Sequence, residues 1–420
     1  MNKILFAEVT KDDIIYNLIK LPQIVFEVTD ACNLRCKYCG YADLYEGYDK
    51  RENLKFPFIR AKHVIDYLHS LWQKHCTSGV IDPVTISFYG GEPLLNVPFI
   101  KQVIEYIESK PFAGRKIHYN MTTNAMLLDK YMDFLAEKQF HVLISLDGDE
   151  EGQSYRVDAT GKNSFKRVIR NVNLLKEKYP EYFERYVMFN SVLHNRNSVE
   201  GTYRFIKDSF GKSPSISPLN NSGIRPDKID EFKKTYRNYS ESIREASNCE
   251  ALKAEMFINT PETNQVLKYL YYQSGNVYFN YNGLFFNKAK MRGTPTGTCL
   301  PFSKKMFITV KGRILQCERI NHEFALGQVT DEGVELDFES IAQQHNDYVF
   351  RYAKQCERCG NRNACMQCVY QIDDIHESTT RCLGFCSEKH KEKQNEQCLR
   401  YLAEHPELYK RLLNEVVLRG

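Results

Sequence analysis

Residues 32–39 read Cys-Asn-Leu-Arg-Cys-Lys-Tyr-Cys, and no other stretch constrains this chain so strongly. Three thiols, Cys32, Cys36 and Cys39, share one short loop, with three and then two residues between them. A loop this tight can point three thiolates at three corners of one iron–sulfur cube, but it cannot easily supply a fourth. One iron is then left open to a small molecule. Arg35 and Lys37 sit between the thiols and are expected to offset part of the cluster's negative charge. The rival reading is a zinc site or a set of buried thiols. Structural zinc wants four protein ligands, commonly in closely spaced pairs, and no partner pair lies near this loop.

Cysteine usage fixes the chemical setting. The chain has fourteen cysteines in 420 residues. Its opening, MNKILFAEVTKDDIIYNLIK, carries acidic residues within its apolar part and lacks a small-residue cleavage site, so it does not read as a signal peptide. Many thiols without an export signal point to metal rather than disulfides, in a reducing, low-oxygen cytoplasm. Three thiols lie in the first loop and eight between 299 and 386. Cys76, Cys249 and Cys398 stand apart and read as small apolar residues. A net charge of +4 calls for neither nucleic acid nor an anionic membrane as partner. No stretch approaches the run of about 20 apolar residues that spans a bilayer.

From residue 22 to 220 short apolar strands alternate with helical stretches. Strands are expected at Ile24–Val28, Val84–Tyr89, Lys116–Thr122, Val142–Asp147, Tyr186–Leu193 and Ser213–Pro218, with helices such as Ala61–Trp72 and Ser164–Lys178 between them. This alternation implies a parallel sheet with right-handed crossovers, an α/β fold. Six units give a partial (β/α)6 version of the eight-unit TIM-type barrel. In such barrels chemistry collects at the carboxyl ends of the strands. The cysteine loop follows the first strand, Gly90-Gly91-Glu92-Pro93 the second, and Thr122-Thr123-Asn124 closes the third. Ser145-Leu146-Asp147-Gly148 closes the fourth, and Asn190 lies in the fifth. Chance would scatter these residues to both ends.

Residues 225–275 read as charged helices bridging two domains. An aromatic stretch follows, Tyr278-Phe279-Asn280-Tyr281 with Phe285-Phe286 after a turn at Asn282-Gly283, which suits a hairpin. Eight further thiols are enough for two sets of four. Cys299 comes first, then Gly312, then Cys317 after four intervening residues; a turn at Lys311-Gly312 reads as a second hairpin. Cys356, Cys359, Cys365 and Cys368 follow with two, five and two residues between them, and Cys382 and Cys386 close the region. A zinc ribbon or a pair of zinc knuckles competes for this stretch. The tail beyond reads as a polar amphipathic helix with a solvated charge run.

The loop at 32–39 resembles the signature of the radical S-adenosylmethionine (SAM) enzymes. That resemblance implies a 4Fe-4S cluster on Cys32, Cys36 and Cys39, its open iron held by the methionyl amine and carboxylate of SAM, with Tyr38 near the adenine. It implies that Gly90, Gly91 and Glu92 contact the amine and that Ser145 and Asp147 serve the ribose or carboxylate side. Arg156 would partner the carboxylate, and Asn190 or the Leu193 backbone would face ribose and adenine. Each polar residue taken singly is commonly a loop cap. The chemistry implied is an electron passed to SAM, then a 5′-deoxyadenosyl radical that takes a hydrogen from a substrate carbon.

The second cysteine region resembles the SPASM extension of anaerobic sulfatase maturases and ribosomal-peptide maturases. By that resemblance Cys299, Cys317 and Cys368 hold one auxiliary 4Fe-4S cluster; Cys356, Cys359 and Cys365 hold another, closed by Cys382 or Cys386. Two departures stand out. Only two residues separate Cys365 from Cys368 where the family has three, and no cysteine lies between 299 and 317 where sulfatase maturases carry one. The first auxiliary cluster would then recruit Cys382 or keep an iron open to a substrate thiolate. Glu318 stands where sulfatase maturases place an aspartate that takes a proton from the substrate radical as it is oxidised. The plainer reading pairs Glu318 with Arg319 or Arg313 on the hairpin surface.

The resulting expectation is a peptide maturase forming an oxidative thioether or carbon–carbon crosslink in a ribosomally made precursor peptide. The alternatives are an anaerobic sulfatase maturase making formylglycine and a non-catalytic zinc scaffold. Expected partners are the precursor peptide and an electron donor such as flavodoxin or ferredoxin; since only 31 residues precede Cys32, leader binding would use the short N-terminal segment, the bridge at 225–275 or a separate leader-binding protein. The expected layout is an N-terminal segment (1–21), the partial barrel (22–220), a bridge (221–298), the SPASM module (299–390) and a C-terminal helix (391–420).

Overall fold

The computed structural model describes residues 6–75, 83–110, 114–270, 293–362, 365–377, 381–412 and 414–415. β1 (Gln23–Thr29), β2 (Val84–Gly90), β3 (Ile117–Thr123), β4 (His141–Ser145), β5 (Val187–Leu193) and β6 (Ser215–Pro218) lie side by side in that order, each neighbouring pair parallel. All six fall within two residues of their expected ends. They are legible because they are buried: every residue of β1 after Gln23 is inside, so the strand reads as a nearly unbroken apolar run. The helix Phe58–His75 lays Ala61, Val64, Ile65, Leu68 and Trp72 along one buried stripe. The helix Val199–Phe210 is closed at both ends. Ser198 accepts from the Gly201 amide, and Gly211, at φ +74°, takes the left-handed turn that stops it.

Four short strands extend the sheet beyond the expected six. β7 (Met306–Ile308) pairs parallel with the free side of β1, and β8 (Arg313–Leu315), β9 (Gly327–Val329) and β10 (Val334–Glu335) continue antiparallel. Gly312 makes the expected turn between β7 and β8. Its φ is +90°, and a Cβ there would stand 2.3 Å from the Val329 carbonyl oxygen.

The chain divides into two compact units. The larger holds Thr10–Ala246 and Cys299–Ala342; the smaller holds Met1–Val9, Ser247–Thr298 and Gln343–Gly420. The expected segments 221–298 and 299–390 are therefore each divided, since residues 306–335 supply strands to the large sheet. In the smaller unit the tail is two helices, Glu388–Glu404 and Pro406–Leu412, broken where Pro406 cannot continue the first. They are anchored, with Cys398, Leu408 and Leu412 packed on Phe257, Val266, Leu267 and Leu270. Cys76 and the aromatic stretch 278–286 lie outside the described residues. Among the described residues no helix is long and apolar enough to cross a membrane.

Candidate active site

The cysteine loop leaves β1 at its carboxyl end and is clamped along its length. The Arg35 amide donates to Val157 O at 2.7 Å and the Lys37 amide to Tyr155 O at 3.1 Å, tying the loop to the chain beyond β4. Beneath it, Tyr38, Leu44, Tyr45, Tyr155, Leu219 and Phe232 form a buried apolar floor. Cys32, Cys36 and Cys39 are free thiols, each partly exposed. Burial pushes the Cys36 thiol up to about 12. Three nitrogens approach the sulfurs: the Leu34 amide at 3.4 Å and Asn124 Nδ2 at 3.8 Å from Cys32 Sγ, and Arg51 Nη2 at 3.3 Å from Cys39 Sγ. Arg51 Nε is buried without a partner. Three thiols facing a half-buried guanidinium with an unused donor suit an anionic iron–sulfur group.

Arg35 and Lys37 hydrogen-bond groups other than the sulfurs. Arg35 Nη1 donates to the loop's own Cys32 carbonyl, and Lys37 pairs with Glu231 at 3.4 Å. Two basic groups stand nearer the sulfurs: Arg51, twelve residues past Cys39, donates to Cys39 Sγ, and Arg156 acts on Cys36. No motif marks Arg51.

The Gly90-Gly91 pair presses the end of β2 onto the chain entering the loop. The Gly91 amide donates to Thr29 O and the Glu92 amide to Ala31 O, each at 2.9 Å. Gly90 has φ +142°, and a Cβ on Gly91 would stand 2.1 Å from the Ala31 carbonyl oxygen. Only glycine fits that approach. Glu92 is engaged by three protein donors. It accepts from the Leu94 amide, Thr123 Oγ1 and the Asn124 amide, at 3.1, 2.7 and 2.8 Å, bracing β2 against β3. Burial pushes its carboxyl up to about 7, against the pull of those donors.

Asp147 and Arg156 are likewise committed to each other. Arg156 Nε and Nη2 donate to the two Asp147 oxygens at 2.8 and 3.0 Å, and Asp147 is fully buried. Asp147 also accepts from the Tyr38 hydroxyl and, at 2.9 Å, from the Val192 amide. Burial disfavours its charge, but Arg156, His194 and Tyr38 together hold it well below the usual carboxylate range. The pair knots Tyr38, and with it the cysteine loop, to the ends of β4 and β5. His194, unanticipated, stacks on the Tyr38 ring at 5.6 Å with its Nε2 3.8 Å from Asp147. Ser145 Oγ donates to Asn190 Oδ1 at 3.2 Å across β4 and β5. Leu193, at the end of β5, has a fully buried side chain.

Glu318 follows β8 in the larger unit. Its partner is Lys305, at 3.0 and 3.1 Å, while Arg313 pairs with Asp49. Burial disfavours the Glu318 charge, but Lys305 outweighs it and keeps the carboxyl below its ordinary range. Cys317 Sγ lies 3.8 Å from Glu318, and burial pushes that thiol up to about 11. The charges of both Glu318 and Cys39 act on Tyr48 and Tyr89, whose hydroxyls burial holds above their normal range. The segment after Glu318 meets the chain beyond the first cysteine loop, where the His322 amide donates to Gly47 O at 3.0 Å.

In the smaller unit Cys356, Cys359, Cys365 and Cys382 line one enclosed space with Phe385 and Thr296. Gln355 Nε2 donates to Cys382 O, and Gln355 Oε1 accepts from the Cys382 amide, both at 3.2 Å. Cys386 stands beside this group: its amide donates to Cys359 Sγ at 3.4 Å and its thiol to Ser387 O at 3.6 Å. The four thiols surround a space rather than meet at one point. Among the described residues no three Cys, His, Asp or Glu side chains converge as they would on a single ion. Cys299 and Cys317 belong to the larger unit and Cys368 to the smaller.

A parallel sheet with a three-thiol loop after its first strand and a glycine pair after its second is the arrangement of radical SAM domains. Residues 26–206 match the Radical SAM superfamily. Residues 26–206 of the chain carry that domain. The chain is similar to the radical SAM cyclopropyl synthase TigE of Paramaledivibacter caminithermalis, 29% identical over 42% of this chain and 35% of that protein. It is also similar to the cysteine-type anaerobic sulfatase-maturating enzyme of Clostridium novyi, 27% identical over 48% of this chain and 52% of that one. The chain thus spans a third to a half of these relatives. Among solved structures, native anSMEcpe with bound AdoMet and Cp18Cys peptide shares the fold, with a TM-score of 0.60, 17% identity, and coverage of 94% of this chain and 99% of that one.

Proposed function

We propose that the protein is a peptide-modifying radical SAM oxidoreductase of the SPASM type, forming a thioether or carbon–carbon crosslink in a ribosomally made peptide. The observation that carries the reading is Glu318, an ionised, Lys305-paired carboxylate whose following segment meets the chain beyond the first cysteine loop. When bound, the 4Fe-4S cluster and SAM supply a carbon radical that abstracts hydrogen. Cys32, Cys36 and Cys39 hold the cluster. The Tyr38–Asp147–Arg156 knot and the Gly90-Gly91 contact keep their loop from shifting, and Ser145 with Asn190 presents hydroxyl and amide toward the cofactor side. Glu318 takes the proton that leaves the substrate carbon, and Lys305 keeps it ionised to do so. Cys356, Cys359, Cys365 and Cys382 would hold a second cluster, which would supply an acceptor for the electron that an oxidative outcome releases. The lack of a cysteine between 299 and 317 favours a crosslink.

Formylglycine formation is the second reading, favoured by the similarity to sulfatase-maturating enzymes and by the peptide in the anSMEcpe structure. A zinc scaffold is disfavoured by the superfamily match. The natural setting proposed is a reducing cytoplasm, with a flavodoxin- or ferredoxin-like donor and a separate leader-binding protein. Candidate peptides co-expressed with the enzyme and analysed by tandem mass spectrometry test the proposal. A loss of two hydrogens with fragmentation blocked between two residues supports a crosslink. A product that reacts with a hydrazide reports an aldehyde and supports formylglycine instead.

A further inference from the structure

Among the described residues Arg51 is the one strongly basic side chain whose hydrogen-bond acceptor is a cysteine sulfur of the first loop. Its guanidinium is fixed from several sides. Nη2 donates to Cys39 Sγ at 3.3 Å, and the guanidinium carbon stands 4.7 Å from the centre of the Tyr41 ring. Tyr41 is held in turn: its hydroxyl donates to Glu27 Oε1 at 2.6 Å, and Glu27 Oε2 accepts from the Val310 amide at 2.8 Å. Glu27 is buried within β1, so the pedestal under Arg51 is anchored in the sheet. Arg51 Nε is buried and donates to nothing. A surface arginine stacked on a tyrosine would leave its spare donors in water. This one hides a donor beside the Cys39 thiol.

A guanidinium keeps its charge and offers several donors in one plane, which suits a fixed contact with an anionic group. The reduction potential of an iron–sulfur cluster depends on its net charge, on hydrogen bonds to its sulfurs and on its exposure. We propose that Arg51 is a positioning and tuning residue of the first cluster. Nη2 fixes the Cys39 sulfur and the buried Nε is left for an acceptor that the bound cluster brings. The positive charge raises the potential, so that an electron is more readily taken up. Tyr41 and Glu27 act through Arg51 by holding its plane. This rests on Cys32, Cys36 and Cys39 being the cluster ligands.

The test is a redox titration of reconstituted full-length enzyme followed by electron paramagnetic resonance, reading the signal that changes when SAM is added. Iron is counted in the same samples. Arg51→Gln and Arg51→Leu are expected to keep their iron and shift that midpoint to more negative potential, the leucine variant further. Arg51→Lys, which keeps the charge, is expected to restore most of the shift. Midpoints equal to wild type with full iron would overturn the proposal. So would lost iron and lowered melting temperature in all three variants, which is the signature of a purely structural arginine. A wild-type enzyme with no SAM-sensitive signal would instead overturn the ligand assignment on which the proposal stands.

Discussion

Arg156 grips Asp147 with two parallel hydrogen bonds, at 2.8 and 3.0 Å, nine residues apart in sequence and both out of reach of water. Through the Tyr38 hydroxyl the pair also holds the cysteine loop. Removing one partner of a buried pair strands the other charge, at a cost of about 3–5 kcal/mol. Asp147→Asn should therefore lower unfolding stability by that order and reduce cluster loading, measured by denaturant titration and iron content. A change near zero would mean that Arg156 finds another partner.

Glu92 gives stability an uncommon dependence on pH. Its carboxyl is pushed up by burial to about 7, above the ordinary value of about 4.3. Between those values the folded chain binds more protons than the unfolded one, so this group's contribution is full below about 4.3 and is lost as pH rises through about 7. Asp147 has the opposite sign: its stabilisation is present above the ordinary carboxylate range and is lost as pH falls below it. Glu92→Gln should flatten the decline in stability between pH 5 and 8, as read from melting temperatures in matched buffers. An unchanged slope would locate the decline in another group.

The strands were legible because burial on both faces writes them as apolar runs, and the glycine pair because backbone contact leaves no room for a side chain. The pairing of Asp147 with Arg156 was not legible. A residue after β4 that can face a ligand looks the same in sequence as one that faces its neighbour, and only the fold decides. Arg51 was hidden for a related reason. It sits in an irregular return segment, where no period relates it to Cys39. β7 to β10 were missed as sheet members because two or three residues are too few to show alternation.

Lys305 sets the charge state of Glu318. Glu318→Gln should keep 5′-deoxyadenosine release while peptide product falls at least about a hundredfold, within the range for loss of a general base. Lys305→Met should raise the Glu318 pKa and move the acid limb of the product-formation profile to higher pH. Full product formation by the glutamine variant would remove Glu318 from the chemistry.

Cys382 faces the enclosed space shared with Cys356, Cys359 and Cys365, and Cys386 does not. Cys382→Ala should cost about four irons per chain, and Cys386→Ala close to none, by metal analysis of anaerobically reconstituted protein. The reverse pattern would exchange their roles.

The most direct measurement is 5′-deoxyadenosine release by reconstituted enzyme given dithionite and SAM. Wild-type protein should release it, and Cys32→Ala, Cys36→Ala and Cys39→Ala should each release none. A silent wild type, or alanine variants as active as wild type, would contradict the assignment of this loop as the site where SAM is cleaved.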